Sequence, residues 1–201
     1  NNTASTQCYG IYVYDYFFSG ASAVKINANK IHDLAKNRSY AYMSLYGIYA
    51  YGYYAGVDFK ITNNVIDLNG PYYIYGIYAY AYRATGDHDI VNNTIRMSGN
   101  VTYSYTRHYG IYNYYAPSGD VKNNIIVDQT QNWGSTNGAS YLIYTYNPQC
   151  TFDYNNLDNS TMAGSAMSNS NRHTAYNGGN RTTLANWQGN AGGANSIAVE
   201  P

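Results

Sequence analysis

The sequence predicts an all-β protein, a right-handed parallel β-helix of about five to six coils, on three observations. A strand motif, Tyr-Gly-Ile-Tyr and its variants, recurs along the chain. An Asn-centred motif follows each copy in step. A tract of variable length closes each unit, so that roughly 30 residues hold three segments in a constant order.

The strand motif starts at Tyr9, Tyr46, Tyr75, Tyr109 and, in degenerate form, Tyr141, at successive spacings of 37, 29, 34 and 32 residues. Within each copy residues alternate, which is the period of a strand and not of a helix. One parity carries Tyr9, Ile11 and Val13 with their equivalents Tyr46, Ile48 and Ala50, then Tyr75, Ile77 and Ala79. Its isoleucines and small residues suit a tight interior, so this whole lane is expected inside. The other parity carries Tyr12, Tyr14, Tyr49, Tyr51, Tyr78, Tyr80, Tyr112, Tyr114, Tyr144 and Tyr146, which would tile an outward sheet face as an aromatic ladder.

The second motif reads Ile61-Thr62-Asn63-Asn64-Val65-Ile66, with counterparts beginning at Ile26, Ile90, Val121 and Phe152. Its two apolar positions are an odd number of residues apart, so one continuous strand would send them to opposite faces. A bend between them removes the conflict. Asn tolerates the left-handed conformation better than other residues except Gly. Asn29, Asn64, Asn93, Asn124 and Asn155 are therefore expected to make that bend and to stack as a ladder, each amide bonding to the next coil.

The third tract runs from each Asn bend to the next tyrosine motif and includes Tyr40, Tyr42, Tyr72, Tyr73, Tyr103, Tyr105 and Asn132-Trp133-Gly134. Variable length marks it as the loop side. No copy shows the i, i+3, i+4 apolar spacing of a helix. Residues 1–159 are expected to form the coils, and 160–201, rich in Asn, Gly and Ser, an irregular last coil that continues into a longer chain.

These Tyr-Gly-Ile-Tyr strands coupled to Asn turns resemble the right-handed β-helix repeats of the pectate-lyase-like superfamily, in particular those of large secreted surface proteins of Bacteroidetes-type bacteria. The segment Leu184-Ala185-Asn186-Trp187-Gln188, with Ala194-Asn195-Ser196-Ile197 and Glu200-Pro201, resembles a tract that closes such helices and precedes further chain. The resemblance covers nearly all 201 residues. It implies the fold, and a family that spans lyases, hydrolases, adhesins and structural fibres.

Composition narrows the partners. Among 201 residues are 28 tyrosines and 19 glycines, and charged residues make up 11% with a formal net charge of +0. Soluble domains carry roughly 25% charged residues. Nothing here is a basic footprint for nucleic acid, and no apolar run spans a bilayer. A weakly charged surface favours self-association, so the partners expected are further copies of the chain, flanking domains or glycans. No charged-then-apolar leader opens the chain, as expected of a mature form or a fragment.

Groups for chemistry are thin. The only Glu is Glu200. Asp58 and Asp87 fall in one column, with His88 beside them, and make a conceivable calcium pair; Lys60 with Asp89 and Lys122 with Asp153 read instead as charge ladders between coils. His32, His88, His108 and His173 share no column and no ligand spacing. Cys8 and Cys150 fall in the first and fifth units, too far apart for an intrachain disulfide, which leaves free thiols or a bond between subunits stacked end to end. Sequons at Asn1, Asn37, Asn92, Asn100, Asn159 and Asn180 are candidate glycan acceptors, although a chain this rich in Asn, Ser and Thr also generates them by composition. The expected protein needs no cofactor or metal. It is a secreted or cell-surface, non-catalytic, structural or adhesive segment that assembles into a filament through coil ends and tyrosine faces. A carbohydrate-binding module and a polysaccharide lyase or hydrolase are the alternatives.

Overall fold

The computed structural model describes residues 6–16, 22–34, 42–53, 57–82, 86–101, 105–115, 118–131, 138–146, 149–159, 172–177, 180–181, 183–191 and 195–197. They form a parallel β-solenoid whose strands, numbered in chain order, are dealt in turn to three sheets. Sheet A takes β1 (Thr6–Asp15), β4 (Met43–Gly52), β7 (Ile74–Ala81), β10 (Arg107–Tyr114), β13 (Ala139–Tyr146), β16 (Arg172–Asn177) and β17 (Asn180–Arg181). Sheet B takes β2 (Ser22–Asn27), β5 (Val57–Thr62), β8 (His88–Val91), β11 (Asp120–Lys122) and β14 (Thr151–Asp153). Sheet C takes β3 (Lys30–Ile31), β6 (Val65–Asn69), β9 (Thr94–Ser98), β12 (Ile125–Asp128) and β15 (Asn156–Asp158).

Register follows the repeat. Tyr9 pairs with Tyr46, Tyr46 with Tyr75, Tyr75 with Tyr109 and Tyr109 with Tyr141. Three inward columns meet at the axis: Ile48, Ile77, Ile111 and Ile143 from sheet A, Ile61, Ile90, Val121 and Phe152 from sheet B, and Ile66, Ile95, Ile126 and Leu157 from sheet C, all buried. Burying each such side chain contributes about 1.5–3 kcal/mol, and like residues stacked on like keep every coil the same size.

Alternation breaks inside the tyrosine motif. A Cβ placed on Gly76 would lie 2.5 Å from both Ile95 Cγ2 and Gly110 O, so Gly76 faces the interior, and Ile77 after it is buried too. Two successive inward residues reverse the parity. Tyr75 therefore emerges outside, edge-on to Tyr78 with ring centroids 5.6 Å apart. Gly10, Gly47 and Gly110 do the same for Tyr9, Tyr46 and Tyr109. The lane expected inside is thus split: its isoleucines pack in the core, and of its leading tyrosines Tyr75, Tyr109 and Tyr141 form a separate aromatic cluster with Tyr112, Tyr144 and Tyr176. In these four coils the sheet C isoleucine opposite leaves no room for a side chain at the glycine; in the next coil Leu142 takes that place and is buried too.

The turn from sheet B to sheet C also differs from expectation by one residue. Positive φ falls on Ala28 (58°), Asn63 (58°), Asn92 (59°), Asn123 (56°) and Tyr154 (53°), not on the stacked asparagines. Those follow the bend, and Asn64, Asn93, Asn124 and Asn155 are completely buried. For Asn64, Asn93 and Asn124 the backbone N–H and Nδ2 both donate to the next coil's Oδ1, as in Asn64 to Asn93 at 3.0 and 2.9 Å. Each Nδ2 also donates back to the preceding coil, as from Asn93 to Ile61 O at 2.9 Å. The stacked residue must aim its amide inward, which the residue before it makes possible by turning the chain.

Within 160–201, expected as an irregular coil, the described residues are ordered into β16, β17 and a helix, α1 (Leu184–Ala191), with Thr183 at its N-cap position. Strand β16 extends sheet A in parallel, and β17 folds back antiparallel to it. Trp187 of α1 is fully buried and meets the Phe152 ring at 5.1 Å and 74°. Ser196 Oγ accepts the Asn155 N–H at 3.2 Å, replacing the next rung of the amide ladder. Ile197 bridges to β15, donating to Asn155 O and accepting from the Leu157 N–H, both at 2.8 Å. This end is therefore capped. Among the described residues no helix is long and apolar enough to cross a membrane.

Candidate functional site

The outward side of sheet A is a continuous aromatic surface. Tyr12, Tyr49, Tyr78, Tyr112, Tyr144 and Tyr176 stack with centroids 5.0, 4.8, 4.9, 4.9 and 4.5 Å apart and ring planes within 7° of parallel. Tyr14, Tyr51, Tyr80, Tyr114 and Tyr146 form a second column at 4.9, 5.0, 5.2 and 4.8 Å. Tyr16, Tyr53 and Tyr82 begin a third at 4.8 and 5.3 Å. The leading column, Tyr9, Tyr46, Tyr75, Tyr109 and Tyr141, stacks at 4.9, 4.6, 4.9 and 5.5 Å and packs edge-on against the first. Strand spacing of about 4.7–4.9 Å imposes this distance, and it falls in the favourable range for offset rings, worth about 0.5–1.5 kcal/mol per pair.

Stacking decides what the surface offers. Within a column each ring face is covered by the rungs above and below, so the outer columns turn edges and hydroxyls to solvent, whereas Tyr46, Tyr109 and Tyr141 of the leading column are buried. Exposure rises where a neighbour is missing: Tyr12 and Tyr14, on the edge strand β1, are 53% and 47% exposed, whereas Tyr49, Tyr51, Tyr78 and Tyr80 are only partly exposed. Burial, and secondarily the charge that Tyr9 and Tyr73 would bear, push the Tyr46 phenol up to about 12. Burial and neighbouring phenols raise Tyr49, Tyr75, Tyr78 and Tyr112 further still; for Tyr109, burial and other tyrosines outweigh Arg107.

The solenoid interior holds two polar clusters that are not apparent in the sequence. In one, His108 Nδ1 lies 3.2 Å from Asp128 Oδ2, Ser140 Oγ donates to the same oxygen at 2.7 Å, and Thr130 Oγ1 donates to Asp128 Oδ1 at 2.6 Å. Burial pushes the Asp128 carboxyl up, but His108 and the two hydroxyls outweigh it and hold it below its ordinary value. His, Asp and Ser are a hydrolase inventory, but here Ser140 bonds the carboxylate and all are sealed from solvent. In the other cluster, His88 Nδ1 donates to Asn113 Oδ1 at 2.6 Å, and Asn113 Nδ2 reaches Cys150 Sγ at 3.5 Å. Burial lowers His88 despite Asn113 and the nearby aspartates; it drives the Cys150 thiol up to about 12. The signal was there: His108, Ser140 and Asn113 occupy columns held in other coils by Leu45, Ile74 and Ala79.

The remaining candidates are dispersed. Asp58 and Asp87 do stack, but Asp58 Oδ1 accepts the Asp87 N–H at 2.9 Å and Asp87 accepts from Ser118 Oγ. Lys60 pairs with Asp89 at 3.7 Å. Lys122 is in register with Asp153 but bonds Asp120 at 2.8 Å, while Asn195 Nδ2 donates to Asp153 at 2.9 Å. Arg96 Nε donates to Asp67 Oδ1 at 3.0 Å, an inter-coil pair that sequence reasoning missed. His32 meets only its neighbour Asp33 among described ion pairs, at 3.0 Å. No three His, Cys, Asp or Glu side chains converge among the described residues. Cys8 lies on sheet A and Cys150 beside sheet B, both as free thiols. Asn92 is exposed at a turn and Asn100 is exposed, Asn159 is half-buried, Asn180 lies on β17, and Asn1 and Asn37 fall outside the described residues, as do Tyr40, Tyr103 and Trp133. Comparison with family models, curated proteins and solved structures returned no match.

Proposed function

We propose that this chain is a non-catalytic, secreted or cell-surface structural protein, a right-handed β-helix of five to six coils. It self-assembles into a fibre through its tyrosine-rich face and through stacking of coil ends. The observation that carries this reading is the phenol-edged face, two full columns and the start of a third beside the more buried leading column, on a chain with only 11% charged residues. A plane of this kind exceeds what a monomer ordinarily shows to water. Its hydroxyls supply directional contacts, and its rings are already rigid.

The two assembly surfaces are not equivalent. β1, β2 and β3 present edge strands, with Ile11, Val13 and Val24 only partly buried, whereas the far end is closed by α1, Ser196 and Ile197. Lateral contact through sheet A is available along the whole length and dominates this reading. Sugar stacking, the alternative, needs open ring faces, and those are covered except at the end rungs.

Negative-stain electron microscopy of the purified chain at neutral pH tests the proposal. Fibres or bundles are expected for the parent, and dispersed short rods for Tyr78→Lys with Tyr80→Lys, which places charge at the centre of the face. Dispersed rods from the parent itself overturn the proposal.

A further inference from the structure

Independently of assembly, the tyrosine face is a chain of redox-active groups in contact. The column from Tyr12 to Tyr176 never opens beyond 5.0 Å between centroids, and its planes are nearly parallel throughout. Over six rungs at about 4.8 Å it spans roughly 24 Å. Every rung is the same residue and the inner rungs share one environment, so a vacancy moved between them changes little in energy.

We propose that the tyrosine columns relay a phenoxyl radical along the solenoid, so that oxidation of one ring emerges at the end rungs, where molecules become joined by dityrosine. An external one-electron oxidant, such as a haem peroxidase with hydrogen peroxide, removes an electron from one phenol, whose proton passes to solvent. Each hop moves an electron from the neighbouring ring to the phenoxyl, which takes up a proton from solvent as the donor phenol releases its own there, so the radical advances and no charge accumulates. At the ends, radicals on two molecules join through the ring carbons ortho to oxygen, and the hydrogen on each of those carbons returns to its own oxygen.

Two further observations support the relay. The inner phenols stay protonated well above neutral pH, because burial raises them, so each hop begins and ends on a neutral phenol. Coupling requires an accessible ring edge, and the end rungs supply it: Tyr12 is 53% exposed and Tyr146 41%.

The test starts the radical at one end. Gln7 is exposed and accepts a hydrogen bond from Tyr9, so Gln7→Cys, with Cys8→Ser and Cys150→Ser, places a ruthenium photo-oxidant beside the first rung. Oxidised residues are mapped by mass spectrometry after flash photolysis with a sacrificial electron acceptor. A second variant adds Tyr75→Phe, Tyr78→Phe and Tyr80→Phe, which keep the stack but are far harder to oxidise and form no phenoxyl; circular dichroism checks that the fold is retained. Products at Tyr144 and Tyr146 are expected in the first protein and their loss in the second, with products at Tyr46 and Tyr49 kept in both. The same distribution in both proteins overturns the relay. So does a pattern led by Tyr105 and Tyr154, which stand outside the columns and are more exposed, because exposure alone would then govern the chemistry.

Discussion

A phenol inside a column is harder to ionise than one in water, because burial and its stacked neighbours both disfavour the charge. Tyr46 rises from 10.0 to about 12 for these reasons, in that order. Below pH 10 folded and unfolded chains both hold the proton, and stability does not depend on it. Above pH 10 the unfolded chain releases the proton while the folded chain keeps it, so stability falls as pH climbs through about 12. Urea midpoints across this window are expected to decline, and less steeply for Tyr46→Phe; a flat profile in the parent would contradict the burial of this hydroxyl. The same residue shows how far alternation can be read. Tyr46 and Ile48 share a parity, yet one is outside and the other inside, because the glycine between them faces sheet C.

The turn from sheet B to sheet C divides two tasks that the sequence presents as one Asn-Asn pair. The first residue bends the chain at positive φ, and the second stacks. The two roles predict different costs. Asn93→Ala leaves the buried Asn64 N–H and Nδ2 without their acceptor and removes the bonds to Ile61 O and Asn124, at about 1–3 kcal/mol for each group stranded. Asn123→Gly removes an exposed side chain from a left-handed position that Gly accepts, and stability is expected to stay within about 1 kcal/mol of the parent. Thermal melts of the two variants decide it, and equal losses would show that the roles are not separate. The ladder's membership was legible from spacing, since every coil repeats it. The bending residue was not, because two adjacent asparagines satisfy the same propensity.

At the scale of the whole molecule, the solenoid is a stack in which each coil touches only its neighbours. One consequence concerns the cap. Trp187→Ala strips the cover from Phe152 and should cost about 3–5 kcal/mol, felt chiefly by the last coils. Amide hydrogen exchange is expected to accelerate in β14 and β15 and to stay unchanged in β5 and β6; uniform acceleration would show that the cap governs the solenoid as one unit. A second consequence is that function, in the reading proposed above, belongs to a column and not to a residue. No single tyrosine is special, whereas interrupting a row breaks the surface.

The repeat, the strand period and the register were determined by the sequence alone, because parallel in-register stacking sets each residue on its own counterpart, so that a motif recurring along the chain becomes a column in space. Only tertiary structure decided which tyrosines of the leading lane turn outward, how His108, Asp128 and Ser140 meet inside, and that Trp187 and Ser196 close one end. Each of these depends on what one sheet places opposite another across the coil, and residues distant in sequence acquire that relation only when the corners are turned.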